Sequence, residues 1–426
     1  MSFSDLLPPF DQRGMDLSLD RMVRALDTLG QPCREIPAVQ VVGTNGKGSI
    51  ASFVHRGLVA AGIRTGLTTS PHLVDWTERI RVDHQLISQA VLRERLEALQ
   101  PLALREGLTP FEVLITAAFV HFSAERVEWM VLEAGLGGRL DATTAHPLRP
   151  LLAVASIGLD HCEHLGPSLT AVAAEKAAAI QPGAMVISGP QRPEVAAVLS
   201  QRALALDAEL SWVEPLEPDW DLGLAGEYQR SNAAVAKAVL ERIQAQGWPL
   251  EATMIRAGLA ATHWPGRLQP VQWQGHSLLI DGAHNPPAAE ALCRERSHWP
   301  HAGHGVIWIV GIQSHKQAPE MLRILLKPQD QVWIVPVPGH RSWTRSMLLE
   351  ACPAWGDQVH ALPADDGNDD TCTMVIRVLE HLDQQGWPMA APVIAGSLYL
   401  VGELMARGTL DFAHKDHDSK PFRSGL

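Results

Sequence analysis

The sequence predicts an α/β protein of two domains with a mostly parallel sheet. Short apolar runs recur along the chain, and several end in Gly, Asp or His just before a helical pattern begins, which is typical of strand–helix units. The chain has 426 residues, 46% of them hydrophobic, so it can bury the cores of two domains. The segment Trp264-Pro265-Gly266-Arg267 interrupts a helical pattern, and a new series of strands follows it. We therefore expect a first domain over residues 1–264 and a second over residues 265–426.

The predicted strands are short runs rich in apolar and β-branched residues. They cover residues 39–42, 130–132, 152–157, 278–280, 306–310 and 332–335. In folds of this class, ligands bind at the carboxyl ends of the parallel strands. The residues that directly follow these strands are therefore the first candidates for chemistry.

Two helices are equally clear from apolar residues at helical spacing. One stripe, followed by Gly30, consists of Leu19, Met22, Val23, Leu26 and Leu29. The other, followed by Gly62, consists of Ile50, Phe53, Val54, Leu58 and Ala61. Because glycine commonly follows the last residue of a helix, both helices should end at these glycines.

Charge and cysteine content exclude several classes of protein. The 35 Lys and Arg against 47 Asp and Glu give a formal charge of -12, which disfavours nucleic acid or an anionic membrane as a partner. No run approaches the roughly 20 apolar residues of a membrane span, and the first twenty residues do not read as a signal peptide. The five cysteines form no CxxC pair, which indicates neither a disulfide framework nor a zinc site. We expect a cytoplasmic protein.

The segment after the first strand has the composition of a phosphate-binding loop. Residues 43–49, Gly-Thr-Asn-Gly-Lys-Gly-Ser, lie between a predicted strand and a predicted helix, where backbone N–H groups and a helix N-terminus can bind phosphate. The match to a Walker A motif is loose, because Gly48 stands where Ser or Thr belongs and the hydroxyl moves to Ser49. Lys47 would contact the β- and γ-phosphates, and Ser49 would contact Mg²⁺. A glycine-rich turn without a ligand is the alternative.

Two further strands end in acidic or histidine residues. Glu133 follows the run 130–132, and Asp160 and His161 follow the run 152–157. Carboxylates at this edge of a parallel sheet are suited to bind a metal ion beside the phosphates. Each residue taken singly would equally serve as a surface or capping residue, so it is their common placement that indicates a metal site.

The phosphate loop is one of ten sequence blocks by which the chain resembles a known family. In chain order the blocks are residues 43–49, 70–73, 78–80, 109–112, 133–143, 159–161, 175–177, 265–268, 281–286 and 396–398. Among them are Ser70-Pro71-His72-Leu73 and Asp281-Gly282-Ala283-His284-Asn285-Pro286. In these blocks the chain resembles the folylpolyglutamate synthase and dihydrofolate synthase family, the folate branch of the Mur ligases.

The resemblance implies a fold and an activity. The fold is an N-terminal Mur-ligase-like P-loop ATPase domain with a mostly parallel sheet, followed by a smaller, Rossmann-like α/β domain for glutamate ligation, with ATP held across the interface. The activity is ATP-dependent ligation of L-glutamate to dihydropteroate or to (poly)glutamylated tetrahydrofolate, with ADP and phosphate as products. ATP would convert the acceptor carboxylate into an acyl phosphate, which the amine of glutamate then attacks. The expected partners are these small molecules alone, and the protein is expected to be a monomer.

The resemblance also implies three sets of binding residues. The ATP contacts are Gly43, Thr44, Asn45, Gly46, Lys47, Gly48, Ser49, Asn232, Arg267 and Asp281. The ligands of two magnesium ions are Ser49, Ser70, Glu133 and His161. The pteroate pocket is formed by Asp16, Leu17, Ser18, Thr109, Pro110, Phe111, Glu112, Arg139, Leu140, Asp141 and Ala142.

Two residues of the pteroate set have chemistry of their own. Phe111 offers an aromatic face to a planar ring, and Glu112 offers an acceptor to a ring N–H. The spacing of Phe111 with Val113, Leu114 and Phe119 equally fits a buried helix face, so core packing is the alternative for Phe111.

Four residues are candidates for catalysis, namely Lys47, Lys176, His161 and His284. The resemblance implies that Lys176 is carbamylated and helps to organise a magnesium ion. At an effective dielectric constant of about 20, an ammonium about 5 Å from Mg²⁺ is repelled by about 6 to 7 kcal/mol. Deprotonating an ordinary lysine at pH 7 costs only about 4.6 kcal/mol, which favours the neutral amine that reacts with CO₂. A solvated helical lysine is the alternative for Lys176.

His284 is the candidate in the second predicted domain. It follows the run 278–280 and lies near Asp281 in the sequence, so it could help to bind the incoming glutamate. A hydrogen-bonded loop histidine is the alternative.

Two other functions remain open on the sequence. Another Mur-type amino-acid ligase would share the phosphate loop and Arg267, although residues 109–112 and 140–142 favour a folate substrate. A protein of a different class, an ATP-binding regulatory module, would use hydrolysis to drive a conformational change. Glu133, His161 and the resemblance to a ligase domain pair argue against that module.

Overall fold

The structure is a computed structural model that describes residues 3, 5–7, 18–363 and 370–412. It divides into two compact units. The first comprises the described residues up to Pro265 together with Asn285–Ala291, and the second comprises Gly266–His284 and the described residues from Leu292 onward. The sequence led us to expect a single boundary near residue 265. It did not indicate that Asn285–Ala291 belongs to the first unit.

The first unit alternates strands and helices along the chain. Its strands are β1 (Ala38–Val42), β2 (Thr65–Thr68), β3 (Ile80–Val82), β4 (Gln85–Leu86), β5 (Trp129–Glu133), β6 (Leu151–Val154), β7 (Met185–Ser188) and β8 (Glu209–Trp212). Its helices are α1 (Asp20–Thr28), α2 (Lys47–Ala60), α3 (Gln89–Glu106), α4 (Pro110–Ala124), α5 (Cys162–Leu165), α6 (Leu169–Ala177), α7 (Pro193–Ala205), α8 (Tyr228–Ala245) and α9 (Ala252–Ala260). Short 3-10 helices cover Trp76–Arg79 and Ala142–Ala145.

The strands of the first unit form one sheet in the order β4-β3-β2-β5-β1-β6-β7-β8. The six strands from β2 to β8 in this order are parallel, whereas β3 and β4 form an antiparallel edge. The predicted α/β class and mostly parallel sheet are therefore confirmed. Because β1 lies between β5 and β6, the segments that follow these three strands meet at one edge of the sheet, where ligands bind in such folds.

Helices cover both faces of this sheet, as its continuously buried central strands β2, β5, β1 and β6 require. On one face, Val39 and Val41 of β1 pack with residues of α2, α8 and α9. The helices α2 and α9 approach closely at their glycines, since a Cβ added to Gly258 would lie 2.6 Å from the Cα of Gly57. On the other face, α3 and α4 pack with β5, while α6 and α7 pack with β6.

The sequence predictions for these elements are largely confirmed, with two differences. Both predicted helices end just before Gly30 and Gly62, and each glycine has a φ of 74°. In α1 the buried stripe is narrower than expected, because Val23 is 37% exposed. The predicted run 152–157 is a strand only to Val154, because the backbone of Ser156 turns to bond with the loop after β1.

The second unit has a smaller sheet of the same type. Its strands are β9 (Gln269–Trp273), β10 (His276–Ile280), β11 (Ile307–Val310), β12 (Gln331–Ile334), β13 (Val359–His360) and β14 (Val393–Ala395). The helices are α10 (Pro286–Glu295), whose first residues belong to Asn285–Ala291 of the first unit, α11 (Ala318–Leu325), α12 (Arg345–Ala351), α13 (Thr371–Gln385) and α14 (Leu398–Arg407). The strand order is β13-β12-β11-β14-β10-β9, and β9 is the antiparallel edge.

A buried ion pair organises one part of the second unit. The Asp330 side chain is fully buried and accepts hydrogen bonds from Nη1 and Nη2 of Arg296 at 2.5 and 2.6 Å. It also accepts the backbone N–H groups of Val306 and Lys327, both at 2.9 Å. These bonds connect the segments that lead into β11 and β12.

Among the described residues, the helices are all too short or too polar to cross a membrane.

Candidate active site of the first unit

The loop between β1 and α2 has the geometry of a phosphate-binding loop. Gly46 precedes α2 with a φ of 94°, and a Cβ there would lie 2.5 Å from Oδ1 of Asn232 in α8. Gly43 has a φ of 147°, and its Cβ would lie 2.6 Å from that of Ala155. Among the described residues, no side chain caps α2, so its first N–H groups remain available to an anion.

The loop after β6 holds the phosphate loop in place. The backbone N–H of Thr44 donates to the carbonyl of Ser156 at 2.8 Å, and Oγ1 of Thr44 donates to the carbonyl of Gly158 at 2.9 Å. Lys47 is half-buried and its Nζ donates to the carbonyl of Thr44 at 3.1 Å. These bonds keep the charge of Lys47 at the loop.

Lys176 reaches the same loop from α6. Its side chain is 4% exposed overall, and its Nζ donates to the carbonyl of Gly43 at 2.8 Å. Burial lowers the pKa of the Lys176 amine from its usual value to about 7, and the nearby charge of Lys47 adds to that effect, while Asp160 and Asp141 oppose it. The alternative of a solvated surface lysine is therefore wrong. A large fraction of the amine is neutral near pH 7.

The predicted metal ligands lie on the segments that follow these strands. Glu133 ends β5, is 4% exposed, and its Oε2 accepts the backbone N–H of Ser70 at 3.0 Å. Ser49 lies in the first turn of α2 and is 1% exposed. His161 directly precedes α5 with a φ of 52°.

The donors in this set fit magnesium. Within the described ranges, no group of three or more His, Cys, Asp or Glu side chains could by itself hold a metal ion. Magnesium usually takes one or two carboxylates together with substrate phosphates and water, and it prefers oxygen ligands. Glu133 and the hydroxyls of Ser49 and Ser70 match that preference, and His161 would add a nitrogen.

Several residues of the predicted pteroate pocket have structural partners. Thr109 caps α4, and Glu112 completes the capping box by accepting the backbone N–H and Oγ1 of Thr109 at 2.7 and 2.8 Å. The carboxylate of Glu112 is buried and accepts from Nε of Arg21 at 2.9 and 2.7 Å. Pro110 is the first residue of α4. A contact between Glu112 and the substrate therefore stays a prediction.

Hydrogen bonds of Asp141 to its own loop hold the segment after β5 in its conformation. Both carboxylate oxygens of Asp141 accept hydrogen bonds. Oδ2 accepts from the N–H groups of Gly135 and Leu136 at 2.8 and 3.0 Å. Oδ1 accepts from the N–H and the hydroxyl of Thr143 at 2.9 and 2.5 Å. Burial raises the pKa of Asp141 above its ordinary value. Phe111 is half-buried and its ring lies against Gly135, where a Cβ would approach Cζ to 2.6 Å.

The other residues of the pteroate set differ in their surroundings. Arg139 is exposed and forms an ion pair with Glu175 at 3.0 Å. Leu140 and Ser18 are half-buried and Ala142 is buried. Asp16 and Leu17 lie outside the described residues.

Three predicted residues belong to the second unit. Arg267 donates through Nη1 to the carbonyl of Gly266 at 3.0 Å. Asp281 is 5% exposed and accepts the backbone N–H groups of Leu268 and Ala283, both at 2.8 Å. Nδ1 of His284 lies 2.8 Å from the carbonyl of Gly282. Their contacts with ATP and glutamate stay predictions.

Sequence reasoning missed two residues beside the phosphate loop. Trp264 lies over the first turn of α2, since a Cβ on Gly48 would come within 2.8 Å of its ring. Asn285 hydrogen bonds to Asn45 at 2.9 Å and to Asp160 at 2.7 Å. Trp264 directly precedes the block 265–268 and Asn285 lies within the block 281–286, but no local pattern shows which distant segment each contacts.

Comparisons with known proteins show which proteins the chain is similar to. Residues 266–407 match the family described as "Dihydrofolate synthetase, C-terminal domain". The chain is 30% identical to the dihydrofolate synthetase of Saccharomyces cerevisiae, over 92% of this chain and 97% of that protein.

Two solved structures show the same fold. The folylpolyglutamate synthase of Mycobacterium tuberculosis complexed with ADP and AMPPCP is 29% identical, with a TM-score of 0.83 over 93% of this chain and 96% of that one. A bifunctional folylpolyglutamate synthase/dihydrofolate synthase with Mn, AMPPNP and L-glutamate bound is 27% identical, with a TM-score of 0.77 over 93% of this chain and 96% of that one.

Proposed function

The chain belongs to the folylpolyglutamate synthase and dihydrofolate synthase family, and from this membership we propose that it is an ATP-dependent ligase that joins L-glutamate to dihydropteroate and to folates. The observation that carries the proposal is the loop between β1 and α2, where an uncapped helix N-terminus and two lysines converge on one short segment. The similar proteins are named for both reactions and include structures with ADP, AMPPNP and L-glutamate.

The phosphate loop supplies the charge that the first step requires. An oxygen of the acceptor carboxylate attacks the γ-phosphorus of ATP, the bond to ADP breaks, and an acyl phosphate forms. Lys47 and the N–H groups at the start of α2 would bind the β- and γ-phosphates and reduce their repulsion of the carboxylate. The amine of glutamate then attacks the acyl carbon, and phosphate leaves as the amide forms.

Magnesium, when bound, would neutralise phosphate charge. The residues that would hold it are Ser49, Ser70, Glu133 and His161, and we include two ions in the proposal. The hydrogen bond between Glu133 and the N–H of Ser70 fixes the orientation of the carboxylate before any metal binds.

We include carbamylation of Lys176 in the same proposal. The neutral amine attacks the carbon of CO₂, an N–C bond forms, and one proton is released. The buried position of Lys176 and its pKa of about 7 support this step, because the neutral form is abundant at physiological pH. The predictions of a monomer and of a cytoplasmic location are part of the proposal and rest on the sequence.

An ADP-release assay tests the proposed function. The protein is incubated with MgATP and L-glutamate, and with dihydropteroate, tetrahydrofolate or a cell-wall precursor as the acceptor. We expect ADP release and a glutamylated product only when acceptor and glutamate are both present. ADP release that needs neither would support the regulatory module, and activity restricted to a cell-wall precursor would support another Mur-type ligase.

A further inference from the structure

The Asn285 side chain has an unusually complete set of hydrogen bonds. It is 2% exposed and lies directly before α10. Its Oδ1 accepts from Nδ2 of Asn45 and from the backbone N–H of Ala288, both at 2.9 Å. Its Nδ2 donates to Oδ1 of Asn45 at 3.1 Å and to Oδ2 of Asp160 at 2.7 Å. A primary amide has two N–H donors and two acceptor lone pairs, so these four bonds use all of them.

The chemistry of two partners determines how this amide is oriented. The backbone N–H of Ala288 can only donate, which requires an oxygen opposite it. The carboxylate of Asp160 accepts, which requires an N–H group on the other side. An aspartate at position 285 would therefore keep the bond to Ala288 but place an oxygen against both Oδ2 of Asp160 and Oδ1 of Asn45.

The two side chains that Asn285 binds belong to the two loops of the candidate active site. Asn45 lies in the phosphate loop, two residues before Lys47. Asp160 precedes His161 and accepts its backbone N–H through Oδ1 at 2.9 Å. The start of α10 also packs on this second loop, because a Cβ on Gly158 would lie 2.5 Å from Cγ of Pro287. Asn285 thus bonds to both loops at once, from a buried position.

We propose that Asn285 is a positioning residue that fixes the phosphate loop and the Asp160–His161 loop relative to each other, so that the nucleotide and its metal ion are bound in one geometry. This inference rests on the proposed function. Without the amide, Asn45 would lose its two bonds to Asn285 and the carboxylate of Asp160 would lose a donor, both in a mostly buried region. Residues that orient metal ligands in this way commonly change metal affinity roughly 10- to 100-fold when replaced.

Nucleotide binding to the full chain tests the proposal without any acceptor or glutamate. Isothermal titration calorimetry measures the Kd of ADP with Mg²⁺ and in EDTA. For Asn285→Ala we expect the Kd of MgADP to rise roughly 10- to 100-fold, with a smaller change in EDTA because Asp160–His161 then no longer contributes. Asn285→Asp should weaken MgADP binding further, because two carboxylates would face each other.

A reciprocal exchange identifies the contact itself. In Asp160→Asn alone, the single amide oxygen can accept from the N–H of His161 or from Nδ2 of Asn285 but is not placed to accept from both, so one bond is lost and MgADP binding should also weaken. In the double variant Asn285→Asp with Asp160→Asn, an amide N–H again faces a carboxylate oxygen across the contact between positions 285 and 160. We expect part of the affinity that Asn285→Asp loses to return, because an oxygen at position 285 still faces Oδ1 of Asn45. This recovery would identify the contact between positions 285 and 160, and a merely structural role would lower the affinity equally with Mg²⁺ and in EDTA.

Ser88→Ala is the matched control, because Ser88 caps α3 away from the site, as Asn285 caps α10. We expect it to lower stability to urea without changing the Kd of MgADP. An unchanged Kd in folded Asn285→Ala, or a double variant no better than Asn285→Asp, would overturn the proposal. If Asn285→Ala does not fold, the Kd of MgADP for the near-isosteric Asn285→Asp and for the double variant tests the proposal instead. Because no acceptor is used, an error in the proposed substrate leaves this result intact.

Discussion

Two lysines bind the carbonyl groups of one short loop, and burial gives them different chemistry. Lys47 is half-buried at the start of α2 and bonds to the carbonyl of Thr44, whereas Lys176 is buried and bonds to the carbonyl of Gly43. A partly exposed ammonium is suited to bind phosphate. A buried amine loses its proton more easily and is suited to react as a nucleophile.

Lys47→Met should strongly lower the rate of glutamate ligation and leave the fold intact. The change removes the positive charge that binds the phosphates, and loss of one such group commonly lowers kcat by about 10²- to 10³-fold. The ADP-release assay measures the activity, and circular dichroism verifies the fold. Lys237→Met on α8, where Lys237 pairs with Glu241, is the control and should retain activity. Wild-type turnover by folded Lys47→Met would remove Lys47 from the site.

Carbamylation of Lys176 should depend on pH in a defined direction. With a pKa of about 7, the amine is about one-tenth neutral at pH 6 and about nine-tenths neutral at pH 8. After removal of CO₂, bicarbonate should therefore restore activity more fully at pH 8 than at pH 6. Carbon-13 NMR with labelled bicarbonate should show a carbamate signal that is absent from Lys176→Met. Full activity in CO₂-free buffer at both pH values would contradict the modification.

At the scale of single elements, the start of α4 is stabilised by one contact with a neighbouring residue and one contact with a residue far along the chain. The capping box of Thr109 and Glu112 is visible in the sequence, because the two residues are three apart. The ion pair with Arg21 joins α4 to α1 across 91 residues and is not visible there. One carboxylate therefore caps the start of α4 and joins α4 to α1.

Glu112→Ala should lower the free energy of unfolding by about 3 to 5 kcal/mol, because it removes one partner of a buried ion pair. Urea denaturation measures this loss. The double variant Arg21→Met with Glu112→Leu removes both charges and should recover part of it. The KM for dihydropteroate then separates two roles: a stable double variant with an unchanged KM would show that Glu112 is structural and does not contact the substrate.

At the scale of the whole molecule, buried histidines make stability depend on pH. Burial lowers the pKa of His146 to about 4 and the pKa of His55 well below its usual value. In the unfolded chain these histidines bind protons near pH 6.5, whereas in the folded chain they do so only at lower pH. Between pH 6.5 and about 4 the unfolded state therefore binds more protons, and stability falls as the pH falls.

Urea denaturation at pH 7 and at pH 5 should show this loss as a lower midpoint at pH 5. In His146→Gln, the amide of Gln can still donate to the carbonyl of Ile36, which His146 contacts at 2.8 Å, but it cannot titrate. The difference between the two pH values should therefore become smaller in this variant. An equal difference in both proteins would exclude His146 as a contributor.

The α/β class, the strands that position the site and the phosphate loop could all be predicted from sequence patterns. These features are local, because apolar spacing records which face of an element is buried and glycines record where the backbone must turn. Three contacts became visible only in the folded chain: Lys176 is buried against Gly43, Glu112 pairs with Arg21, and Asn285 binds Asn45 and Asp160 of the first unit. Those contacts join segments that are 91 to 240 residues apart. The residues next to each partner in the sequence do not indicate these pairings, because the partners come together only when the complete chain packs.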